Sequence, residues 1–295
     1  MTLADIDADV PRLVRYLGRK CGRAANLLSP AQNRYLGRPA ATAAREATPS
    51  QFRCRKKRPM RLDRFVSQAA GISRRQARIL IQRGRIHVDG DTVKDFARHV
   101  GAGERVERGG ESLELPRPVY LMLNKPCGLL SATTDSHQPT VMTRLPEALA
   151  ARVHLVGRLD KETSGLLLLT DDGAWSHRVT SPNHQCAKTY LAELAEPLVA
   201  DAEERLRQGL MLRSEKSVTR PAELTRLDAT HVRLSVMEGR YHQVRRMFAA
   251  LGNRVLALHR ERIGGLVLDP SLQPGDWRHL TATECEAVLM CEIID

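Results

Sequence analysis

The stretch Gly157-Arg158-Leu159-Asp160-Lys161-Glu162-Thr163-Ser164-Gly165-Leu166-Leu167-Leu168-Leu169-Thr170 decides the reading of this 295-residue chain. An apolar strand over 153–156 leads into it, and a four-leucine strand over 166–170 leads out. The loop between them is polar, charged and bracketed by glycines. A carboxylate on a loop held between two buried strands is well placed for chemistry. Arg158 and Lys161 flank Asp160 and favour the ionised carboxylate that a nucleophile needs. On these residues alone, an Arg-x-Asp pair reads first as a local ion pair that fixes the loop.

Outward from this stretch, further strands are expected over 119–123, 189–194 and 232–236. In the last, Val232, Leu234 and Val236 alternate with Arg233 and Ser235, so one face is expected to be solvated. Helices are expected over 202–208, 241–251 and 282–290. Strands separated by turns, with few helices between them, indicate an α+β catalytic domain over 119–295 with a mixed, largely antiparallel sheet.

Residues 60–100 have a different pattern. Leu62, Phe65, Val66 and Ala69 recur at helical spacing until Gly71. Ser73 caps a second helix, and Gln76 three residues on completes a capping-box pattern. Ala77, Leu80 and Ile81 form its apolar face, while Arg74, Arg75 and Arg78 fall on the rest of its surface. Asp89-Gly90 between Ile86–Val88 and 92–93 signals a hairpin. Three arginines within five positions, with no acid among them, read as a phosphate-binding face in preference to a merely solvated one. Residues 101–118, with Gly101, Gly103, Gly109, Gly110, Pro116 and Pro118, read as a linker.

Net charge is +12, and it is concentrated at the front. Residues 1–59 carry 13 Lys+Arg against 4 Asp+Glu, residues 60–100 carry 9 against 4, and residues 101–295 carry 24 against 26. A basic front suits a polyanion such as nucleic acid. Residues 1–59 are rich in Ala, Arg and Pro and end in Arg53, Arg55, Lys56, Lys57 and Arg58. They could serve as an RNA-binding tail, whereas Asp5, Asp7 and Asp9 argue against a transit peptide. The preferred reading is a disordered extension, or sequence upstream of a true start at Met60, with no fold assigned.

No apolar run approaches the ~20 residues of a membrane span. The six cysteines are scattered, without a C-x-x-C pair, which argues against a zinc site or a disulfide framework and for free thiols in a reducing cytoplasm.

The full string Gly-Arg-Leu-Asp-x-x-Thr-x-Gly-Leu resembles the signature of the RsuA/RluA branch of pseudouridine synthases, and 60–100 resembles the S4 RNA-binding domain. Asn124-Lys125-Pro126-Cys127-Gly128 resembles the motif that opens the family's catalytic domain. Lys188-Thr189-Tyr190 resembles the strand whose tyrosine packs on the target uracil. Glu238-Gly239-Arg240-Tyr241-His242-Gln243-Val244-Arg245-Arg246-Met247 resembles the third motif, and Arg262-Ile263-Gly264 a late one. The strings over 170–178 and 258–265 are similar to the RsuA type, which modifies small-subunit (16S) rRNA.

The resemblance implies an RNA pseudouridine synthase with Asp160 as nucleophile, Tyr190 against the base, and Arg240 paired with Asp160. It assigns Arg158, Ile263 and Lys125 to handling the flipped base. Arg245 and Arg246 are expected to clamp phosphate. The expected partner is ribosomal RNA in a partly assembled small-subunit particle, and the protein is expected to be a cytoplasmic monomer. Isomerisation oxidises nothing and transfers no group, so no cofactor or metal is expected. Two other readings compete. A non-catalytic RNA-binding or assembly factor would not need Asp160, Tyr190 and Arg240 together. An aspartate-nucleophile hydrolase would need a second acid/base group, for which only Glu162 is near.

Overall fold

The computed structural model describes residues 59–101, 103–181, 184 and 186–290. The reading of 1–59 therefore lies, but for Pro59, outside the described residues. The described residues form two compact units that divide after Pro118.

In the first unit, α1 (Leu62–Ala69) and α2 (Arg74–Gln82) bury Leu62, Val66, Ala77 and Ile81 against a small sheet. The Ser73 side chain accepts the Gln76 amide, and the Gln76 side chain accepts the Ser73 amide, so two otherwise orphaned N–H groups at the start of α2 are satisfied reciprocally. β1 (Met60–Arg61) pairs with β4 (His99–Val100). β2 (Ile86–Val88) turns through Asp89 and Gly90, both at positive φ, into β3 (Asp91–Thr92), as a two-residue hairpin turn requires.

The stretch read as a linker is largely structured. β5 (Val106–Arg108) pairs antiparallel with β2, placing Val106 in the core at 1% exposure, and β6 (Glu111–Ser112) pairs with β5. Gly109 and Gly110 are the turn between them, at φ 61° and 87°. Glycines that looked like linker punctuation supply the left-handed backbone of a hairpin.

In the second unit, nine strands form one sheet. Its main path runs β11 (Ala222–Arg226), β12 (His231–Val236), β10 (Lys188–Leu194), β13 (Val255–Ile263), β9 (Thr163–Thr170), β7 (Tyr120–Lys125), β15 (Trp277–His279). β8 (His154–Val156) pairs with β9, and β14 (Leu266–Val267) with β13. All pairings are antiparallel except β13 with β9. Helices α3 (Glu147–Ala150), α4 (Gly173–Thr180), α5 (Ala202–Gln208), α6 (Gln243–Ala250) and α7 (Ala282–Ala287) pack around it.

β9 is buried along its whole length. Leu167 and Leu169 join Leu121 and Leu123 in one cluster, while Leu166 and Leu168 join Met122, Val156 and Trp175 in another. A strand covered on both faces needs a continuous apolar run, and the four leucines provide it. On β12, Val232, Leu234 and Val236 are buried in a third cluster with Met247 and Phe248 of α6, and the residues between them are half-buried.

Two constraints position the 157–162 loop between β8 and β9. The first is Gly165, at φ 103°, where β9 runs parallel to β13 in register with Arg260. A Cβ there would lie 2.3 Å from the Arg260 carbonyl oxygen. The second is Lys125, at the end of β7 and 0% exposed. Its Nζ donates toward the carbonyl oxygens of Pro126 (3.0 Å), Asp160 (3.1 Å), Lys161 (3.2 Å) and Thr163 (2.9 Å). Gly128 N donates to Lys161 O, and Ser131 Oγ bonds both backbone groups of Leu159.

Gly165→Ala is expected to destabilise the chain by about 3 kcal/mol or more, read by urea denaturation. Gly173→Ala, with φ negative and nothing within 4 Å of the new Cβ, should change stability by under about 1 kcal/mol.

Burial depresses Lys125 to about 8, with Cys127 and, less strongly, Glu162 and Asp160 limiting the drop. Between pH 8 and 10.5 the unfolded chain therefore keeps a proton that the folded chain has released, and Lys125's contribution to stability rises with pH across that window. The stability of the wild type relative to Lys125→Met is expected to climb by about 3 kcal/mol over the same window. A flat or falling difference would contradict the buried, depressed ammonium.

Candidate active site

Asp160 sits on the loop that Lys125 holds, with its side chain 34% exposed. With the carbonyls of Asp160, Lys161 and Thr163 drawn toward one buried ammonium, the loop backbone is tied to β7. Arg158 and Lys161, which flank Asp160, are exposed. Among the described residues Arg158 makes no hydrogen bond or ion pair. It is therefore a free cation at the rim.

The partner of Asp160 is not the one expected. His242 Nε2 lies 3.5 Å from Asp160 Oδ1. Arg240, expected there, instead engages Glu238 Oε2 at 3.1 Å, Ser217 O at 2.8 Å and Val218 O at 2.6 Å, with Glu215 at 3.6 Å. Two acids of its own neighbourhood, Glu215 and Glu238, capture the guanidinium. Glu238 lies within the motif, two residues before Arg240, but Glu215, Ser217 and Val218 come from a segment that spacing within the motif could not reveal.

Arg245 and Arg246 are also engaged within the chain. Arg245 Nη2 donates to the carbonyl of Glu162 (3.1 Å) and Nη1 to that of Val255 (3.1 Å), so Arg245 braces the Asp160 loop from the α6 side. Arg246 bonds Glu215 (2.8 Å), Arg213 O (2.6 Å) and Tyr241 O (3.1 Å). The sequence signal for α6 as a basic helix was sound, but the arginines' partners come from three other segments.

Tyr190 on β10 is half-buried and packs against two of the core clusters. The Arg260 guanidinium lies 6.0 Å from its ring centroid. Arg260 is 3% exposed, donates Nε to Leu166 O at 2.8 Å, and keeps Nη2 buried without a partner. Next to it His259 is buried, and its Nδ1 lies 2.9 Å from Ser164 Oγ. Burial pushes the His259 imidazole down to about 4, so it is neutral at physiological pH.

Two expected base-handling residues are not at a surface. Lys125 is the buried tie described above. Ile263 is 1% exposed and packs with Met122, Leu166, Leu168, Trp175 and Val288, a cluster that does not include Tyr190. As it stands, its side chain offers almost no exposed surface to a base. His242 and Arg245 are the residues whose contacts the sequence reading missed. Both lie in the quoted third motif, beside the Arg240 that was chosen.

On the small unit, two of the three arginines, Arg74 and Arg78, are not free of acid. Asp63, 0% exposed, receives Arg78 Nε at 2.9 Å, Arg61 Nε at 3.2 Å and Arg74 Nη2 at 3.4 Å. Burial alone would raise its carboxyl, but hydrogen bonds from Arg61 and Arg78 outweigh that and hold it well below the usual carboxylate range. Arg78 also stacks over Phe96 at 5.1 Å. Arg75 is exposed and, among the described residues, unpaired. The result is a fixed fan of half-exposed guanidinium groups beside one exposed cation that no acid holds among the described residues.

Among the described residues there is no cluster of three or more His, Cys, Asp or Glu arranged for a metal ion, and no helix is long and apolar enough to cross a membrane.

Residues 119–250 match the RNA pseudouridylate synthase family, and residues 60–106 the S4 domain. The chain is 48% identical over 230 residues to the ribosomal small subunit pseudouridine synthase A of Yersinia pestis, covering 78% of this chain and 98% of that protein. It is 48% identical to the protein of the same name from Escherichia coli over 231 residues, 78% of this chain and all of the relative. The Vibrio cholerae protein is 46% identical over 229 residues, 78% and 99%. A crystal structure of a pseudouridylate synthase superposes with a TM-score of 0.58 at 43% identity, covering 78% of this chain and 99% of the other. The synthase match spans the Asp160 loop, and the relatives align over nearly their whole length; the chain belongs to the RNA pseudouridine synthases, with an S4 domain ahead of the catalytic one.

Proposed function

We propose that this enzyme converts one uridine of small-subunit (16S) ribosomal RNA to pseudouridine, with Asp160 as the nucleophilic carboxylate and the target base flipped out of the stack. The observation that carries the substrate assignment is the 46–48% identity to small-subunit enzymes over nearly their full length. The reaction breaks the bond from uracil N1 to ribose C1′ and forms one from C5 to C1′. C5 loses a proton and N1 gains one, so nothing is oxidised and no cofactor is consumed.

The site's geometry supports distinct roles. Asp160 is a part-exposed carboxylate on a loop tied by a buried ammonium, which gives the pre-organisation a nucleophile needs. Arg158 is a free cation beside it, suited to displacing the base. Extrusion costs a few kcal/mol of unstacking, and Tyr190, half-buried below Arg260, offers a ring for the extruded uracil. Lys125 and Arg245 act as positioning residues on the loop. Arg240 is not assigned to Asp160, and Ile263 is not assigned to the base. The S4 face brings Arg74, Arg75 and Arg78 to the RNA backbone. The enzyme acts as a cytoplasmic monomer on a partly assembled particle, where the target strand is still accessible.

Uracil tritiated at C5 loses its label when C5 bonds to C1′. Wild-type protein is expected to release tritium from small-subunit RNA in a partly assembled particle. Asp160→Asn should lower release by at least about a thousandfold while RNA affinity stays within a few-fold. Substantial release by the variant would refute nucleophilic catalysis. No release by the wild type, from small- or large-subunit RNA, with RNA binding intact, would favour an assembly factor.

Arg75→Ala should reduce the slope of log affinity against log salt by about 0.7–0.9 without changing stability. Arg78→Ala should weaken RNA binding and also cost about 2 kcal/mol of stability, because it removes a charged hydrogen bond to the buried Asp63. An unchanged salt slope in both would remove the S4 face from the RNA contact.

A further inference from the structure

Tyr241 is the one aromatic among the exposed large hydrophobic residues of the described chain, and the most exposed of them at 72%. Its ring lies flat on His242, with centroids 3.8 Å apart and planes 18° from parallel. His242 in turn lies 3.5 Å from the Asp160 carboxylate. A stack of two rings therefore leads from the nucleophile outward to solvent.

This arrangement is held at a cost. His242 has a left-handed backbone, φ 48°, which for a residue with a Cβ costs about 1–2 kcal/mol. The surroundings enforce it. Arg246 Nη1 donates to Tyr241 O and Arg246 N to His242 O, while the amide of Arg240 donates to the Gln243 side chain. Outliers of this kind concentrate at functional sites. Beyond the stack on His242, nothing among the described residues engages the ring: the Tyr241 hydroxyl has no hydrogen-bond partner there and the side chain belongs to none of the core clusters.

We propose that the outer face of Tyr241 is a nucleobase-stacking subsite, which receives the base next to the target uridine in the RNA strand. A flat exposed ring takes any base through its π-face, and base–aromatic stacking is largely indifferent to sequence. When the uridine leaves the helix, its neighbour loses one stacking partner. Tyr241, two rings from Asp160, replaces that partner and keeps the strand from closing while Asp160 works. The subsite rests on the pseudouridine synthase reading of Asp160 and adds a second base contact to it.

The test uses a short RNA hairpin carrying the uridine that the wild type is found to modify in the particle, and versions in which each flanking nucleotide is made abasic in turn. Affinity and tritium-release kinetics are measured for the full-length wild type, Tyr241→Ala, Tyr241→Leu and Tyr241→Phe. Tyr241→Ala is expected to raise Kd and KM roughly 5- to 150-fold, with a smaller change in kcat, and Tyr241→Phe to restore both. Tyr241→Leu keeps apolar bulk without a π-face and should behave like Tyr241→Ala. One abasic position should cost the wild type the same factor and cost Tyr241→Ala nothing further. Equal affinity of Tyr241→Ala and wild type, or losses that add in full at every abasic position, would overturn the subsite. Failure of the wild type to release tritium from the partly assembled particle would instead defeat the catalytic reading, and the affinity cycle on the hairpin would still report on the stacking.

Discussion

A single ammonium organises the active-site loop. Lys125 is fully buried, and a charge moved out of water unpaired would cost far more than a folded domain can spare. The chain offsets that cost with carbonyl oxygens instead of a carboxylate in direct contact. Three of the four belong to residues 160–163, so the loop must present its backbone to β7. Gly165 then lets β9 pass within van der Waals distance of the β13 backbone, which brings Arg260 and, across β10, Tyr190 to the same part of the sheet. The loop, the parallel β9–β13 pairing and the aromatic on β10 are thus consequences of one buried charge and one absent side chain.

Where a rule acts within a few residues, the sequence was readable. The Ser73–Gln76 capping box, the Asp89-Gly90 turn, the helix Ala202–Gln208 and the alternation along 232–236 all depend on neighbours in the chain, and all are present. The hairpin at 106–112 escaped because its strands are only two or three residues long and are stabilised by pairing with β2 some twenty residues earlier. β13 threads the centre of the sheet, yet its string, Val-Leu-Ala-Leu-His-Arg-Glu-Arg-Ile, carries a buried histidine and arginine that disguise it. In the site, the Asp160 loop was legible because its motif is contiguous. Most partners of Arg240, Arg245 and Arg246 were not, since Glu162, Glu215, Ser217 and Val255 come from segments brought together only by folding.

The same distinction governs charge. Counting residues put the positive excess ahead of the catalytic domain, but the count could not say which arginines are available. Asp63 takes three of them into a fixed cluster, and Glu215 holds Arg246 and lies near Arg240. Paired arginines are not lost to RNA. A guanidinium carries five donors in a rigid plane, so one bonded to a buried carboxylate keeps outward donors in a set direction and gives up less rotamer entropy on binding. Arg75 and Arg158, unpaired among the described residues, are the opposite kind: no ion pair sets the direction of their donors.

Beneath the loop the balance of charge is unusual. Arg260 and Lys125 are both buried, and the charge of Arg260 works against that of Lys125. His259, beside Arg260 in sequence, is kept neutral by burial and adds nothing to the excess. The nearest carboxylates are Asp160 and Glu162, each of which favours protonated Lys125. A buried ammonium that needs compensation and a loop side chain that stays open to solvent make opposing demands when the two must touch. Placing the compensating cation on the far side of the backbone satisfies both: it acts through the loop while leaving the carboxylate oxygens open toward His242 and solvent.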